Sequence, residues 1–265
     1  MTARTSRKGS VLMADHRYIP AISRRRPLSK PATRSTAIAR VALASLGLIT
    51  APAMVFAGPA TASTTGHATL ATARKALFVL SDFPTSWTSS KSTNSKSPMP
   101  GAAQIASCIG VPRSVIVGHA PNVISPEFDA PNHLLIAGDT VTIYPSAQAA
   151  TTEYSSLANP KTPGCLSRVM NGSARAEVLR SLGTTNLVGP IRVTRAPSRY
   201  FAPGGANFTM TLSLKEKGVQ LNVRFTVVDY VKGNEEQTVD LMSIETGFPT
   251  ALAMQLTQDA KRRLQ

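Results

Sequence analysis

Asn207-Phe208-Thr209-Met210-Thr211-Leu212-Ser213-Leu214 alternates polar and apolar residues at every step. After Lys215-Glu216-Lys217-Gly218 the pattern resumes as Val219-Gln220-Leu221-Asn222-Val223-Arg224-Phe225-Thr226-Val227. A period of two puts successive side chains on opposite faces of a strand. The Gly-containing interval joins two such strands as a hairpin. Downstream, Lys232-Gly233-Asn234-Glu235 reads as a second turn, and a third strand is expected from Glu236 to Glu245. Upstream, Ile191 to Tyr200 adds a strand. The pattern predicts an antiparallel meander with one buried and one wet face, with Glu235 and Glu236 solvated at a hairpin tip.

Beyond the meander, Phe248-Pro249 opens a final helix, whose Leu252, Leu256, Ala260 and Leu264 recur every fourth residue as one buried stripe. Lys261, Arg262 and Arg263 fall in its last turn, where cations complement the helix dipole. Toward the N-terminus the spacing predicts helices from Thr69 to about Leu80, with Leu70, Ala73, Leu77 and Leu80 inward, and over Gly101–Ile109. Further helices are expected from Pro145-Ser146 to Leu157 and from Cys165 to about Leu182. Thr140–Tyr144 alternates as a strand, and residues 110–138 read as irregular or weakly extended. Helices first, a sheet next and a helix last make an α+β fold. The expected architecture is an antiparallel meander of about four to six strands, with helices on one face, in a single domain.

The first 62 residues read as an export leader. Arg24-Arg25-Arg26 and Arg40 precede an apolar run, Val41 to Ile49, and small residues end in Ala60-Thr61-Ala62 before Ser63. Basic, apolar and A-x-A segments in that order make a secretory signal. The division is therefore 1–62, a signal peptide with an extended basic n-region, and 63–265, one α+β secreted domain. The alternative is an uncleaved anchor. Val41 to Phe56 is short of the roughly 18 to 20 apolar residues of a span, and Pro52 interrupts it. Ten of the 29 basic and one of the 14 acidic residues lie in the leader, so +6 of the net +15 stays with the mature chain. Scattered charge of that size fits a solvated surface and gives no reason to expect nucleic acid. The two cysteines, Cys108 and Cys165, read as a disulfide in an oxidising compartment. Free thiols, or pairing with another chain, are the alternatives.

No nucleophile elbow, phosphate loop or zinc-protease motif occurs. His67, His119 and His133 are not spaced as metal ligands, so neither metal nor cofactor is expected. The densest polar stretch runs from Ser125 to His133, with Asp139 beyond it. Its prolines mark it as a solvated loop, although His133 beside Glu127, Asp129 or Asp139 would make a general base. Trp87 with Phe83, and Tyr200 with Phe201, are the aromatic candidates for a ligand groove. Phe83 and Trp87 would otherwise staple the first helix to the sheet.

Leu80-Ser81-Asp82-Phe83-Pro84-Thr85-Ser86-Trp87 resembles the opening motif of small secreted actinobacterial proteins. Cys108-Ile109-Gly110, Ser125-Pro126-Glu127-Phe128 and Gly164-Cys165-Leu166 look like its later landmarks. More distantly, the layout is similar to extracellular sensor domains and lipoproteins of mycobacteria, whose α+β folds imply ligand sensing or binding. This chain has no kinase domain and no lipid-attachment Cys. The resulting expectation is an exported, non-enzymatic binding or sensor-like domain, secreted or envelope-associated. It would meet a cell-envelope ligand or protein through Trp87, Tyr200, Phe201 and His133, without a stable membrane span after cleavage. A small secreted hydrolase using His133 is the alternative.

Overall fold

The structure, a computed structural model, describes residues 69–92, 101–116, 120–181, 186–196, 201–216 and 218–264. The expected leader and cleavage point, His67, His119 and Tyr200 lie outside these residues. The three meander strands form as the alternation requires: β6 (Ala206–Glu216), β7 (Val219–Lys232) and β8 (Glu235–Ile244). β6 pairs with β7 from Ala206↔Asp229 to Glu216↔Val219, and β7 with β8 from Val223↔Ile244 to Lys232↔Glu235. Gly218 (φ 87°) and Gly233 (φ 60°) supply the left-handed backbone of the two tight turns. β5 (Leu187–Thr194) pairs with β6 through a bulge between Val188 and Arg192, where Gly189-Pro190 cannot continue the ladder.

The sheet is larger than expected. Together with β1 (Thr88–Ser90), β2 (Asn122–Ile124), β3 (Glu127–Asp129) and β4 (Leu135–Ile143), it has eight antiparallel strands among the described residues, in the order β1-β3-β4-β8-β7-β6-β5. β2 also pairs with β4. Residues 110–138, expected to be irregular or weakly extended, supply β2, β3 and the start of β4. Strands of three residues are too short to show a period, and Pro126 between two of them is tolerated at a sheet edge. Ser125 bridges that break: its Oγ accepts the Asp139 N–H at 2.9 Å and donates to the Pro126 carbonyl at 2.8 Å. The polar stretch from Ser125 is therefore not a solvated loop, since Ser125, Glu127, Asp129 and Asp139 are all buried. Glu235 and Glu236, expected to be wet, are buried as well.

The helices cover both faces of the sheet rather than one. Val223, Phe225 and Val227 of β7 and Met242 and Ile244 of β8 pack on one side. Their partners include Leu157 of α4 (Ala147–Ala158) and Leu166 and Val169 of α5 (Thr162–Asn171). Val228 and Tyr230, of the opposite parity, join Val239 and Leu241 against Ala253, Leu256 and Ala260 of α7 (Thr250–Arg263). The alternation thus marks two apolar surfaces where the strands run under α7, and the wet face survives only toward β5 and β6.

The first helix, α1 (Leu70–Ala76), is shorter than its periodicity suggests. Ala73 and Ala76 are buried, whereas Leu70 and Leu80 are exposed. The chain leaves the helix at Leu77, and the Phe78 N–H donates to Asp139 Oδ1 at 3.0 Å in the sheet. A 3₁₀ turn, Leu80–Asp82, follows. Asp82 holds it by accepting the Val79 N–H at 2.8 Å, and its other oxygen receives Arg263 Nη2 at 2.6 Å. Arg263 also donates to the Leu77 carbonyl at 2.9 Å, so the helix tail clamps the opening motif.

The helix expected over Cys165–Leu182 is two, α5 and α6 (Arg175–Ser181). They separate at Gly172, whose N–H is shared by the Arg168 and Val169 carbonyls. Cys165 on α5 is bonded to Cys108 on α2 (Ala102–Ile109), with Cα atoms 5.7 Å apart. α3 (Arg113–Ile116) packs beside them, with Ile116 in the same small cluster.

Candidate ligand groove

Where α7 stops short of β5, the sheet face opens into a groove of about 420 Å³, within the range of small-ligand sites. The register explains its floor. One row across four strands is Thr194–Thr209–Thr226–Leu241, and the next is Arg192–Thr211–Arg224–Ser243. Leu241 apart, these are the polar positions of the alternating strands, lined up by antiparallel pairing. The Thr209 and Thr226 hydroxyls are 3.0 Å apart and share a hydrogen bond.

Phe201 and Phe248 line the groove together with Gly247, Thr250 and Ala253 at the start of α7. Phe201 is held by its neighbour Ala202, whose N–H donates to Thr257 Oγ1 at 3.1 Å and whose carbonyl accepts the Tyr230 hydroxyl at 2.9 Å. Lys261 Nζ and the Tyr154 hydroxyl secure the following carbonyls, of Pro203 at 2.8 Å and Gly204 at 2.6 Å. Gly205 permits this close approach, because a Cβ there would stand 2.9 Å from both Tyr230 and Val228. Arg195 also borders the groove, but its guanidinium is committed to the Leu157, Asn159 and Asn207 carbonyls.

The aromatic candidates separate. Phe201 lines the groove. Trp87 does not: only 6% exposed, it stacks on Phe83 at 5.0 Å, and Phe83 stacks on Phe128 of β3 at 4.3 Å. Trp87 also meets the Phe248 ring at 6.3 Å, so it backs one groove wall from inside the core. His133 sits in a tight turn with φ 54°, its N–H on the Ala130 carbonyl and its Nδ1 buried without a partner among the described residues. Asp139, one of the carboxylates considered beside it, is engaged by Phe78 N–H and by Gln237 Nε2 at 2.7 Å. Burial pushes the Asp139 carboxyl up to about 6. Among the described residues no group of three or more His, Cys, Asp and Glu side chains could hold a metal ion.

A second polar cluster, invisible in the sequence, is sealed beneath α4. The Tyr144 hydroxyl contacts Glu153 and, at 2.5 Å, Glu236 Oε2. One phenolic proton cannot serve two carboxylates, so the arrangement requires a further proton on one of the glutamates. Burial, then the charges of Glu153 and Asp229, hold Glu236 well above the usual carboxylate range. Burial also pushes Asp229 up to about 7, although Thr238 donates to its Oδ1 at 2.7 Å; Oδ2 has no partner among the described residues. The one sequence signal was a carboxylate inside the apolar run Val227-Val228-Asp229-Tyr230-Val231. Arg224 and the threonines were legible only as polar positions of a wet face.

No family model matches the chain, and no curated protein matches it. Among solved structures it is similar to the extracellular domain of PknH from Mycobacterium tuberculosis, at 10% identity and a TM-score of 0.36, covering 74% of this chain and 98% of that one. It is also similar to LpqN, involved in cell envelope biogenesis of the same organism, at 10% identity and a TM-score of 0.26, covering 68% of this chain and 77% of that one. Likeness at this level carries over no residue's role. Among the described residues no helix is long and apolar enough to cross a membrane.

Proposed function

We propose that this chain is an exported, non-enzymatic binding domain of the cell envelope or extracellular space, and that the groove beside α7 is its ligand seat. The observation that carries the reading is the groove itself: a preformed concavity with a hydroxyl-rich floor, phenyl rings at its side and a guanidinium on its floor. Small-molecule sites combine apolar walls with a few placed polar groups in this way. The leader at 1–62 supports export. The Cys108–Cys165 bond suits an oxidising compartment. The mature protein would begin near Ser63 and form one domain to residue 265. Of the aromatic candidates, Phe201 would touch ligand directly and Trp87 would hold Phe248 in place.

The test is a thermal-shift screen of the exported protein against peptidoglycan fragments, cell-wall glycans and lipids. A compound that binds the native state raises the melting temperature. Resonance shifts on Thr209, Thr226, Leu241 and Ala253 should locate the hit. A hit whose shifts fall elsewhere would move the seat. Sequencing the N-terminus of the secreted product tests the export reading, and a full-length membrane-bound product would refute it.

A further inference from the structure

We infer that the groove selects an oxyanion, a carboxylate or phosphate carried on a body with one apolar face, and that Arg224 is its anchor. This rests on the groove being the ligand seat.

Arg224 lies on the groove floor and makes no hydrogen bond or ion pair among the described residues, unlike Arg263 and Arg262, which meet Asp82 and Asp259. No carboxylate is among the described residues that line the groove. The acid that follows the Ser243 end of the Arg224 row, Glu245, accepts the Asn222 N–H at 2.7 Å. The guanidinium therefore has no counter-ion among the described residues, and its planar fork matches a carboxylate or phosphate through two parallel hydrogen bonds.

Three further features converge on the same place. Gly247 lies over Arg224, close enough that a Cβ there would stand 3.0 Å from Nη1, so the guanidinium has a backbone roof. The 14-residue helix α7 starts at the groove without a side-chain cap. Its first-turn N–H groups and the positive end of its dipole favour a negative charge there. Ser243, the cross-strand neighbour of Arg224, is 1% exposed, and its Oγ has no partner among the described residues. Ser243 does not itself line the groove, but it shares the sheet face of Arg224 and Leu241, and its hydrogen-bonding capacity is unspent.

The rest of the lining decides what carries the anion. Thr209, Thr211 and Thr226 can donate to or accept from hydroxyls or ester oxygens, while Phe201, Phe248, Leu241 and Ala253 offer an apolar wall. A bare inorganic anion would leave that wall wet. An anion on an aromatic or ring-shaped body would cover it.

The experiment titrates the full exported protein with benzoate, phenyl phosphate, neutral benzyl alcohol and inorganic phosphate, reading amide and threonine-methyl shifts by NMR. Benzoate or phenyl phosphate should shift Thr226, Leu241 and Ala253. Each should bind at least several-fold more tightly than benzyl alcohol or inorganic phosphate, and the stronger of the two identifies the anion. Arg224→Gln should weaken the anionic probe roughly tenfold or more while leaving benzyl alcohol unchanged. Arg224→Lys, which keeps the charge and loses the fork, should fall between. Equal binding of neutral and anionic probes at the groove, or no effect of Arg224→Gln, overturns the oxyanion inference and leaves the groove as the seat. Shifts confined to other residues, or no shift with any probe at tens of millimolar, overturn both.

Discussion

Replacing Asp229 by Asn should flatten the alkaline side of the protein's stability profile. Asp229 is buried in β7, and burial pushes its carboxyl from an ordinary 3.8 to about 7. A raised pKa means that the folded state holds the proton more tightly than the unfolded chain does. Its contribution is fully present below the unfolded value and is lost as pH rises through the folded one. Between pH 5 and pH 8 the loss integrates to about 2.5 kcal/mol, from 1.36 kcal/mol per pKa unit. The amide of Asp229→Asn would keep an oxygen for the Thr238 hydroxyl, which donates to Asp229 Oδ1 at 2.7 Å, and would carry no titrating proton. Urea unfolding of both proteins across that interval gives the double difference directly. The wild type should lose about 2.5 kcal/mol more than the variant between the two pH values. Parallel profiles would refute the claim that burial raises the Asp229 carboxyl to about 7. An Asp229→Asn protein less stable than wild type at pH 8 would show that the amide cannot be housed beside Thr238.

Four other outcomes follow from the packing. Leu256→Ala, at a fully buried site on the inner face of α7, should cost roughly 2 to 5 kcal/mol by chemical denaturation; a loss under about 0.5 would make α7 peripheral. Reducing Cys108–Cys165, which are separated by 57 residues, should cost about 4 kcal/mol in the chain-entropy model. Neither thiol should alkylate in the native oxidised protein, as mass spectrometry would show. Gly101→Ala should lower the melting temperature, because Gly101 has φ +73° and a Cβ there would lie 2.4 Å from Val169. Asp82→Asn should loosen the Leu77–Asp82 segment, read as faster amide exchange at Val79, since it weakens the contact with Arg263.

Much of the β-rich third was legible because period two is a local property. Phe208, Met210, Leu212 and Leu214 face one way whatever the strand pairs with, and Gly218 and Gly233 mark where the chain must turn. The number of strands was not legible, since β1, β2 and β3 are three residues each and exist only because β4 is there to bond β2 and β3, and β3 to bond β1. Glu236 looked wet at a hairpin tip because nothing local says that α4, some eighty residues earlier, lies over it. Leu80 looked buried on a helical face, but the tertiary bond from Phe78 N–H to Asp139 ends that helix first.

The groove divides the same way. Residue types and strand periodicity already put Thr209, Thr211, Arg224 and Thr226 on one polar face, and the expected compartment with the cysteine count favoured the Cys108–Cys165 bond that the fold then makes. Register across four strands then set Arg224 beside Thr211 and Ser243, and the packing of α7 on only part of the sheet left that row open beneath Gly247 and Phe248. Alternation along a strand is dictated by the backbone within a few residues. Which strand lies alongside, and what covers it, depends on contacts between residues far apart in sequence, and only the folded chain brings these together.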